Sequence, residues 1–165
     1  MIFPVKLYCH EVVDRFFSRF LLCKNIIKNL IIVSPWITYT DFKVGSLTNV
    51  IKKIHNEKIP TYIITRTPII DSHKEVINKF KEIKNTEINL YDDLHAKIFI
   101  SDCEYDRFAL IGSANLTRNS SNNFEIGVFI NGRGDGDRLI KQLYNISIID
   151  LRINKQIILN KKMGV

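Results

Sequence analysis

Apolar positions along the chain switch repeatedly between the spacing of an amphipathic helix and that of a buried strand. Val12, Phe16 and Phe20 recur at helical spacing and predict a helix over residues 11–29. The apolar run that follows predicts a strand over residues 30–34. The other predicted elements are helices around 44–54, 76–83 and 139–146, and strands over 60–65, 86–91, 95–101, 108–111 and 124–130.

This order of elements predicts an α/β sandwich, with a mixed but mostly parallel central sheet and helices on both of its faces. The 165 residues are enough for one domain with its own core, so we expect a single domain over 1–165. Because ligands of open α/β sheets collect at the carboxyl ends of strands, the loops there are the first places to look for chemistry.

The strand predicted over residues 95–101 carries two polar side chains on one face. Residues two apart on a strand share a face, so His95 and Lys97 point the same way and the apolar residues between them point the other way. Asp102 has the opposite parity, and we expect it to be a structural hydrogen-bond acceptor at the strand end. A histidine can attack phosphorus, and a lysine can hold phosphate oxygens.

The next predicted strand runs directly into Gly112, Ser113 and, two residues later, Asn115. A tight turn at the glycine would let backbone N–H groups approach a phosphate. The asparagine amide would add a further donor. Taken alone, this sequence is an ordinary turn, and a lone His-x-Lys pair is usually a solvated strand edge.

Together, these residues resemble the His-x-Lys-x-x-x-x-Asp motif of the phospholipase D superfamily and its downstream Gly-Ser-x-Asn. The resemblance implies a phospholipase D-like fold and a metal-independent phosphodiesterase that works through a covalent phosphohistidine. It also implies that Glu125, at the start of the predicted strand 124–130, hydrogen-bonds His95 and fixes its tautomer. The alternative for Glu125 is an exposed glutamate at a strand end.

The chain holds one copy of this motif, whereas cleavage needs both a nucleophile and an acid for the leaving oxygen. The resemblance implies a homodimer in which two chains form one composite site. One His95 would attack while the other donates a proton. Lys97 and Asn115 of both chains, helped by Ser113, would stabilise the phosphate oxygens.

The net charge of +7 favours a polyanionic partner, and we expect DNA or RNA as the substrate of an endonuclease. Trp36, in a Ser-Pro-Trp turn, either stacks on a base or caps the core. Arg66 either contacts a phosphate or is solvated. The basic tail, 151–165, is either a nucleic-acid arm or a solubilising end. The alternative functions are a phospholipase or phosphatidyl transferase, which predicts an apolar patch at the pocket mouth, and a non-catalytic nucleic-acid-binding module.

No cofactor and no metal site are expected, since Asp92 and Asp93 lack the spaced partners of a metal site. The other three histidines, including His73, are expected at the surface. The three cysteines are expected to be reduced thiols, because an odd count argues against a disulfide framework. No apolar stretch is long enough for stable membrane insertion, and we expect a cytoplasmic protein.

Overall fold

The computed structural model describes residues 4–121 and 123–153, which form one seven-stranded sheet with helices on both faces. The strands follow the spatial order β1-β7-β6-β5-β2-β3-β4. Their bounds are β1 Val5–Cys9, β2 Ile27–Val33, β3 Thr61–Thr65, β4 Thr86–Leu90, β5 Ile98–Cys103, β6 Phe108–Gly112 and β7 Ile126–Asn131. Residues 154–165, which carry most of the basic tail, lie outside the described residues.

Two hydrophobic cores lie on the two faces of the sheet. The larger core is built from α1, α2 and α3 and is rich in aromatic residues, whereas α4 and a terminal π-helix cover the other face. The helices are α1 Val12–Leu22, α2 Leu47–Asn56, α3 Asp71–Lys81, α4 Asp135–Asn145, a short 3-10 helix Arg118–Ser121 and the π-helix Ile146–Ile153. The predicted α/β fold class with helices on both faces is therefore confirmed.

The direction of the strands corrects the prediction of a mostly parallel sheet. Only β2–β3 and β3–β4 pair in parallel, and the other four neighbouring pairs are antiparallel. The reason lies in the connections. Short segments without a crossover helix join β5 to β6 and β6 to β7, so these strands form an antiparallel meander.

Three element boundaries also differ from the prediction. The helix expected over 11–29 ends at Leu22, and β2 already begins at Ile27, because Ile27 pairs with Cys103 of β5. Strand β1 was not predicted and pairs with β7 along the edge of the sheet. Strand β5 begins at Ile98, so His95 and Lys97 lie in the extended segment that leads into it.

Strand direction brings seven strand ends, and the five loops attached to them, to one edge of the sheet, which we call the site edge. The carboxyl ends of β1, β2, β3, β4 and β6 lie there, together with the amino ends of β5 and β7. The antiparallel pairs that mark this edge are Val33 with Ile98, Ile98 with Ile111, Gly112 with Gly127, and Cys9 with Ile126. The residues before β5, after β6 and before β7 therefore meet although they are far apart in sequence.

Two further observations bear on the sequence-based expectations. The sulfur atoms of Cys23 and Cys103 lie next to each other in the core between the end of α1 and the end of β5, and Cys9 is exposed; the expectation of reduced thiols stays a prediction. Within residues 4–121 and 123–153, no helix has the length and apolar character needed to cross a bilayer.

Candidate active site

His95 is exposed at the site edge and is contacted by an arginine from the loop that follows β3. Arg66, directly after β3, places its terminal NH2 nitrogen 3.1 Å from His95 Nε2 and donates from Nε to the Leu94 carbonyl at 2.9 Å. Because a guanidinium can only donate, this hydrogen bond forms with the tautomer in which His95 Nε2 is the accepting nitrogen.

Lys97 is fixed next to the end of β6 by the backbone. The Gly112 N–H donates to the Lys97 carbonyl at 3.2 Å, which extends the β5–β6 pairing one residue beyond β5. The Lys97 side chain is half-buried, and in the described part of the chain no hydrogen bond or ion pair holds its ammonium group. Lys97 thus carries an unpaired cation two residues after His95.

The Gly112–Ser113 segment does not offer its backbone N–H groups to a ligand, which corrects the expectation of a phosphate-binding turn. The Gly112 N–H donates to Lys97 and the Ser113 N–H donates to the Ile126 carbonyl at 3.0 Å. Glycine is required at 112 for another reason: a Cβ there would lie 2.5 Å from the Ile126 carbonyl oxygen. The absence of a side chain lets β6 and β7 approach each other next to the site.

Glu125 is bound to Ser113. The Ser113 hydroxyl donates to Glu125 Oε2 and accepts from the Ile126 N–H at 3.1 Å. No hydrogen bond joins Glu125 to His95 among the described residues, so the expected pairing is not formed here. A hydroxyl has one proton, and since Ser113 gives it to Glu125, this serine positions the carboxylate and has no proton left for a phosphate.

The segment that carries Asn115 is held at the site edge by a serine, Ser34, which was not among the residues predicted for the site. Ser34, fully buried after β2, donates to the Trp36 carbonyl at 2.8 Å and accepts from the Leu116 N–H at 3.0 Å. This hydroxyl ties the Ser-Pro-Trp turn to the segment that carries Asn115. A small polar residue at the end of a buried apolar strand was the available signal.

The side-chain carbonyl of Asn115 has no hydrogen-bond partner although it is buried. An unpaired buried acceptor costs about 1–3 kcal/mol, and native structures seldom keep one without a reason.

Trp36 lies between Arg66 and a buried histidine. The Arg66 guanidinium carbon is 5.8 Å from the centre of the Trp36 ring, and the His73 ring meets Trp36 edge-on at 5.6 Å. His73 is fully buried, so its predicted surface position is wrong. The reason is its place on the inner face of α3, where its Nε2 lies 3.1 Å from the Thr65 hydroxyl. Trp36 thus adjoins Arg66, which in turn contacts His95.

We expect His73 to make the fold less stable in acid. Burial lowers the pKa of His73 below its usual 6.5, so the unfolded chain binds a proton more readily than the folded chain. The free energy of unfolding should therefore be constant above about pH 6.5 and fall below it, by at most about 1.4 kcal/mol per pH unit. Urea unfolding of the wild type and of His73→Gln between pH 5 and 7.5 measures this slope.

The matched control is His55→Gln, because His55 is an exposed residue of α2. The slope should become shallower in the His73 variant and stay as in the wild type in the His55 variant. Equal slopes in all three proteins would contradict the assignment.

Asp102 lies on the face of the sheet that α4 covers. It accepts from Arg107 Nε at 2.7 Å and from Asn29 Nδ2 at 3.4 Å, and Arg107 NH1 binds Asp137 of α4 at 2.5 Å. Asp102 therefore links β5 to β2, β6 and α4. Its contacts are structural, and none is with His95.

A cavity of about 510 Å³ opens beside Asn115 and Glu125. Its lining includes two aromatic rings, three amide side chains and a carboxylate: Trp36, Tyr39, Asn115, Asn119, Asn123 and Glu125. Within the described residues, no three His, Cys, Asp or Glu side chains come close enough to form a metal site. The arrangement places a histidine, two cations and an amide near a cavity with aromatic and amide side chains in its lining.

Comparison with known proteins agrees with this geometry. A family model described as "Cardiolipin synthase, PLD-like domain" matches residues 24–146, a span that contains His95, Lys97, Asn115 and Glu125. A separate comparison with curated protein sequences gives no match.

Solved structures share the fold at low sequence identity. The chain is similar to NucT from Helicobacter pylori, with 17% identity, a TM-score of 0.59, and coverage of 87% of this chain and 94% of that one. It is also similar to Nuc from Salmonella typhimurium, a phospholipase D family member, with 12% identity, a TM-score of 0.54, and coverage of 84% and 91%. A polyphosphate kinase from Porphyromonas gingivalis matches with 9% identity and a TM-score of 0.59, but only over 26% of its length.

Proposed function

The chain belongs to the family of phospholipase D-like domains, and from this membership we propose that it is a metal-independent phosphodiesterase that cleaves DNA or RNA internally. The observation that carries the proposal is the gathering of His95, Lys97, Asn115 and Arg66 at one edge of the sheet. A nucleophile surrounded by phosphate-binding groups is what phosphodiester cleavage requires.

The single motif copy supports a composite site made by two chains. A symmetric dimer with its two-fold axis at the site edge places both copies of His95 at one scissile ester. In the isolated chain His95 is exposed, which fits a pocket that a second copy completes.

The first chemical step follows from the contact between Arg66 and His95. A bound phosphate competes for the Arg66 guanidinium, which frees the lone pair on His95 Nε2. Nε2 then attacks phosphorus in line, so that an N–P bond forms and the P–O bond to the leaving group breaks. The protonated His95 of the second copy donates its proton to the leaving oxygen.

The second step reverses the roles of the two histidines. The second His95, now neutral, takes a proton from water, and the water oxygen attacks phosphorus while the N–P bond breaks. Lys97, Arg66 and the Asn115 amide stabilise the charged oxygens in both steps. Glu125 and Ser113 fix the start of β7 beside the site.

The nucleic-acid substrate is supported by charge and by the pocket. The sequence carries a net charge of +7, which favours a polyanion through the release of counterions. The pocket beside the site is lined by aromatic and amide groups, which suit bases better than acyl chains.

We expect cleavage to persist in excess EDTA. Plasmid, single-stranded DNA, RNA and phosphatidylglycerol vesicles are each incubated with the wild type and with His95→Ala, and products are followed by electrophoresis or lipid chromatography. Cleavage of a nucleic acid in EDTA that needs His95 supports the proposal. Complete loss of activity in EDTA contradicts the metal-free mechanism, and binding without cleavage indicates a non-catalytic module.

Phosphatidyl transfer or lipid hydrolysis is the second candidate. The family description names a cardiolipin synthase, and exposed apolar residues lie near the pocket: Ile69 and Phe124 are each 67% exposed, and Ile70, 48% exposed, lines it. Turnover of the vesicles without cleavage of nucleic acid would favour this candidate.

A further inference from the structure

The geometry points to a nucleobase subsite in the cavity beside Asn115, which would hold an unpaired base next to the scissile phosphate. This inference rests on the proposed function and deepens it, because it assigns a substrate feature to the same site. The volume of about 510 Å³ lies within the roughly 300–1,000 Å³ of small-molecule pockets.

Trp36 supplies a stacking surface whose position is fixed. Its ring is held edge-on by the buried His73 at 5.6 Å, and the Ser34 hydroxyl binds the Trp36 carbonyl at 2.8 Å. Tyr39, packed partly against the larger core, lines the same cavity. Aromatic rings held in place suit base stacking because little freedom is lost on binding.

The rest of the lining offers both hydrogen-bond donors and acceptors. The side-chain amides of Asn115, Asn119 and Asn123 and the hydroxyls of Thr38 and Ser72 border the cavity. Amides carry a donor and an acceptor side by side, which is the pattern on the edge of a base. A base inside a duplex has its faces stacked on neighbouring bases and its hydrogen-bonding edge paired. The pocket therefore fits an unpaired base.

The cavity is directly connected to the proposed phosphate site. Asn115 belongs to both, and Arg66 lies 5.8 Å from the centre of the Trp36 ring and 3.1 Å from His95 Nε2. A base stacked on Trp36 therefore belongs to a nucleotide that adjoins the ester under attack. The enzyme should accordingly prefer single-stranded nucleic acid.

Trp36 is the single tryptophan of the sequence, so intrinsic fluorescence reports on this pocket directly. The full chain carrying His95→Ala, which prevents cleavage, is titrated with oligothymidylate and with an abasic oligomer of the same phosphate count. We expect oligothymidylate to quench Trp36 and to bind about 5- to 150-fold more tightly. Equal quenching and equal affinity for the two oligomers would overturn the subsite, as would a fluorescence change produced by vesicles but not by oligothymidylate.

Variants at Trp36 test the same point by kinetics in EDTA. The ratio of kcat/KM for a single-stranded oligomer to that for its abasic counterpart should fall toward one in Trp36→Leu and be largely kept in Trp36→Phe. Tyr105→Leu is the matched control, because Tyr105 is 79% exposed in the turn between β5 and β6 at the opposite edge. Circular dichroism verifies folding of each variant.

The outcomes separate this inference from the proposed function. If the wild type cleaves both oligomers equally well, the subsite is wrong and the nuclease proposal stands. If base-dependent quenching occurs but no nucleic acid is cleaved, the subsite stands and the nuclease proposal fails.

Discussion

A dimer that pairs one normal chain with one His95→Ala chain should lose activity by about 10⁴-fold or more. In the proposed mechanism the two histidines have different roles in the same step, because one attacks phosphorus while the other gives a proton to the leaving oxygen. Loss of the acid or of the nucleophile alone therefore stops turnover. Removing the second histidine as well should lower kcat little further, because the effects of groups that act together are not additive.

The mixed dimer is made by co-expressing the two chains with different affinity tags and purifying through both tags. A mixed dimer of wild type and His55→Ala is the control, since His55 is exposed on α2. It should be as active as the wild type. If the His95 mixed dimer kept half of the wild-type activity, each chain would hold a complete site and the composite site would be rejected.

Lys97→Met should lower kcat by about 10²–10³-fold while the fold is unaffected. Loss of one preorganised group that stabilises charge in the transition state has an effect of this size. The free energy of unfolding should change by no more than about 0.5 kcal/mol, because in the described part of the chain no partner holds the Lys97 ammonium. Methionine keeps the length and the apolar stem of the side chain.

Lys28→Met is the matched control. Lys28 is exposed near the start of β2, and so at the edge opposite the site. Its replacement removes the same charge but should leave kcat within about two-fold, because exposed charges that far apart are largely screened. A Lys97 variant that unfolds more easily but retains its kcat would show that Lys97 supports the fold and takes no part in the reaction.

Local periodicity in the sequence carried much of the information about the fold. The alternation around the motif places Ala96, Ile98 and Ile100 on one face, and all three pack in the core under α4. Helices α1, α2, α3 and α4 follow from apolar residues at helical spacing. Such patterns are visible in a sequence because each depends on neighbours within a few residues.

Boundaries and strand directions depended on distant partners and could not be predicted in this way. Helical spacing continues past Leu22, yet Ile27 enters a strand because it pairs with Cys103. Strand β1 exists because β7 offers it a free edge. The intrinsic preference of these short segments is weak, and long-range pairing decides their structure.

The candidate site, too, could be predicted only where it depends on residues that are close in the sequence. The motif itself identified His95, Lys97 and Asn115, but the contact of His95 with Arg66 joins residues 29 apart in the chain. The Ser34 hydroxyl, which fixes both Trp36 and the segment after Asn115, acts across 82 residues. The sequence also gave no sign that the proton of Ser113 goes to Glu125, because that contact depends on the close approach of β6 and β7 at Gly112.

The alternating strand directions also decide where the molecule can be attached to a surface or a dye. The turn that contains Tyr105 lies a full strand length away from His95, so an anchor engineered there should leave both faces of the reactive end accessible. Thiol coupling through the native Cys9 would have the opposite effect. This exposed residue is the last of β1 and pairs with Ile126 at the site edge. A bulky group on it would obstruct the approach of a nucleic acid or of a second copy of the chain.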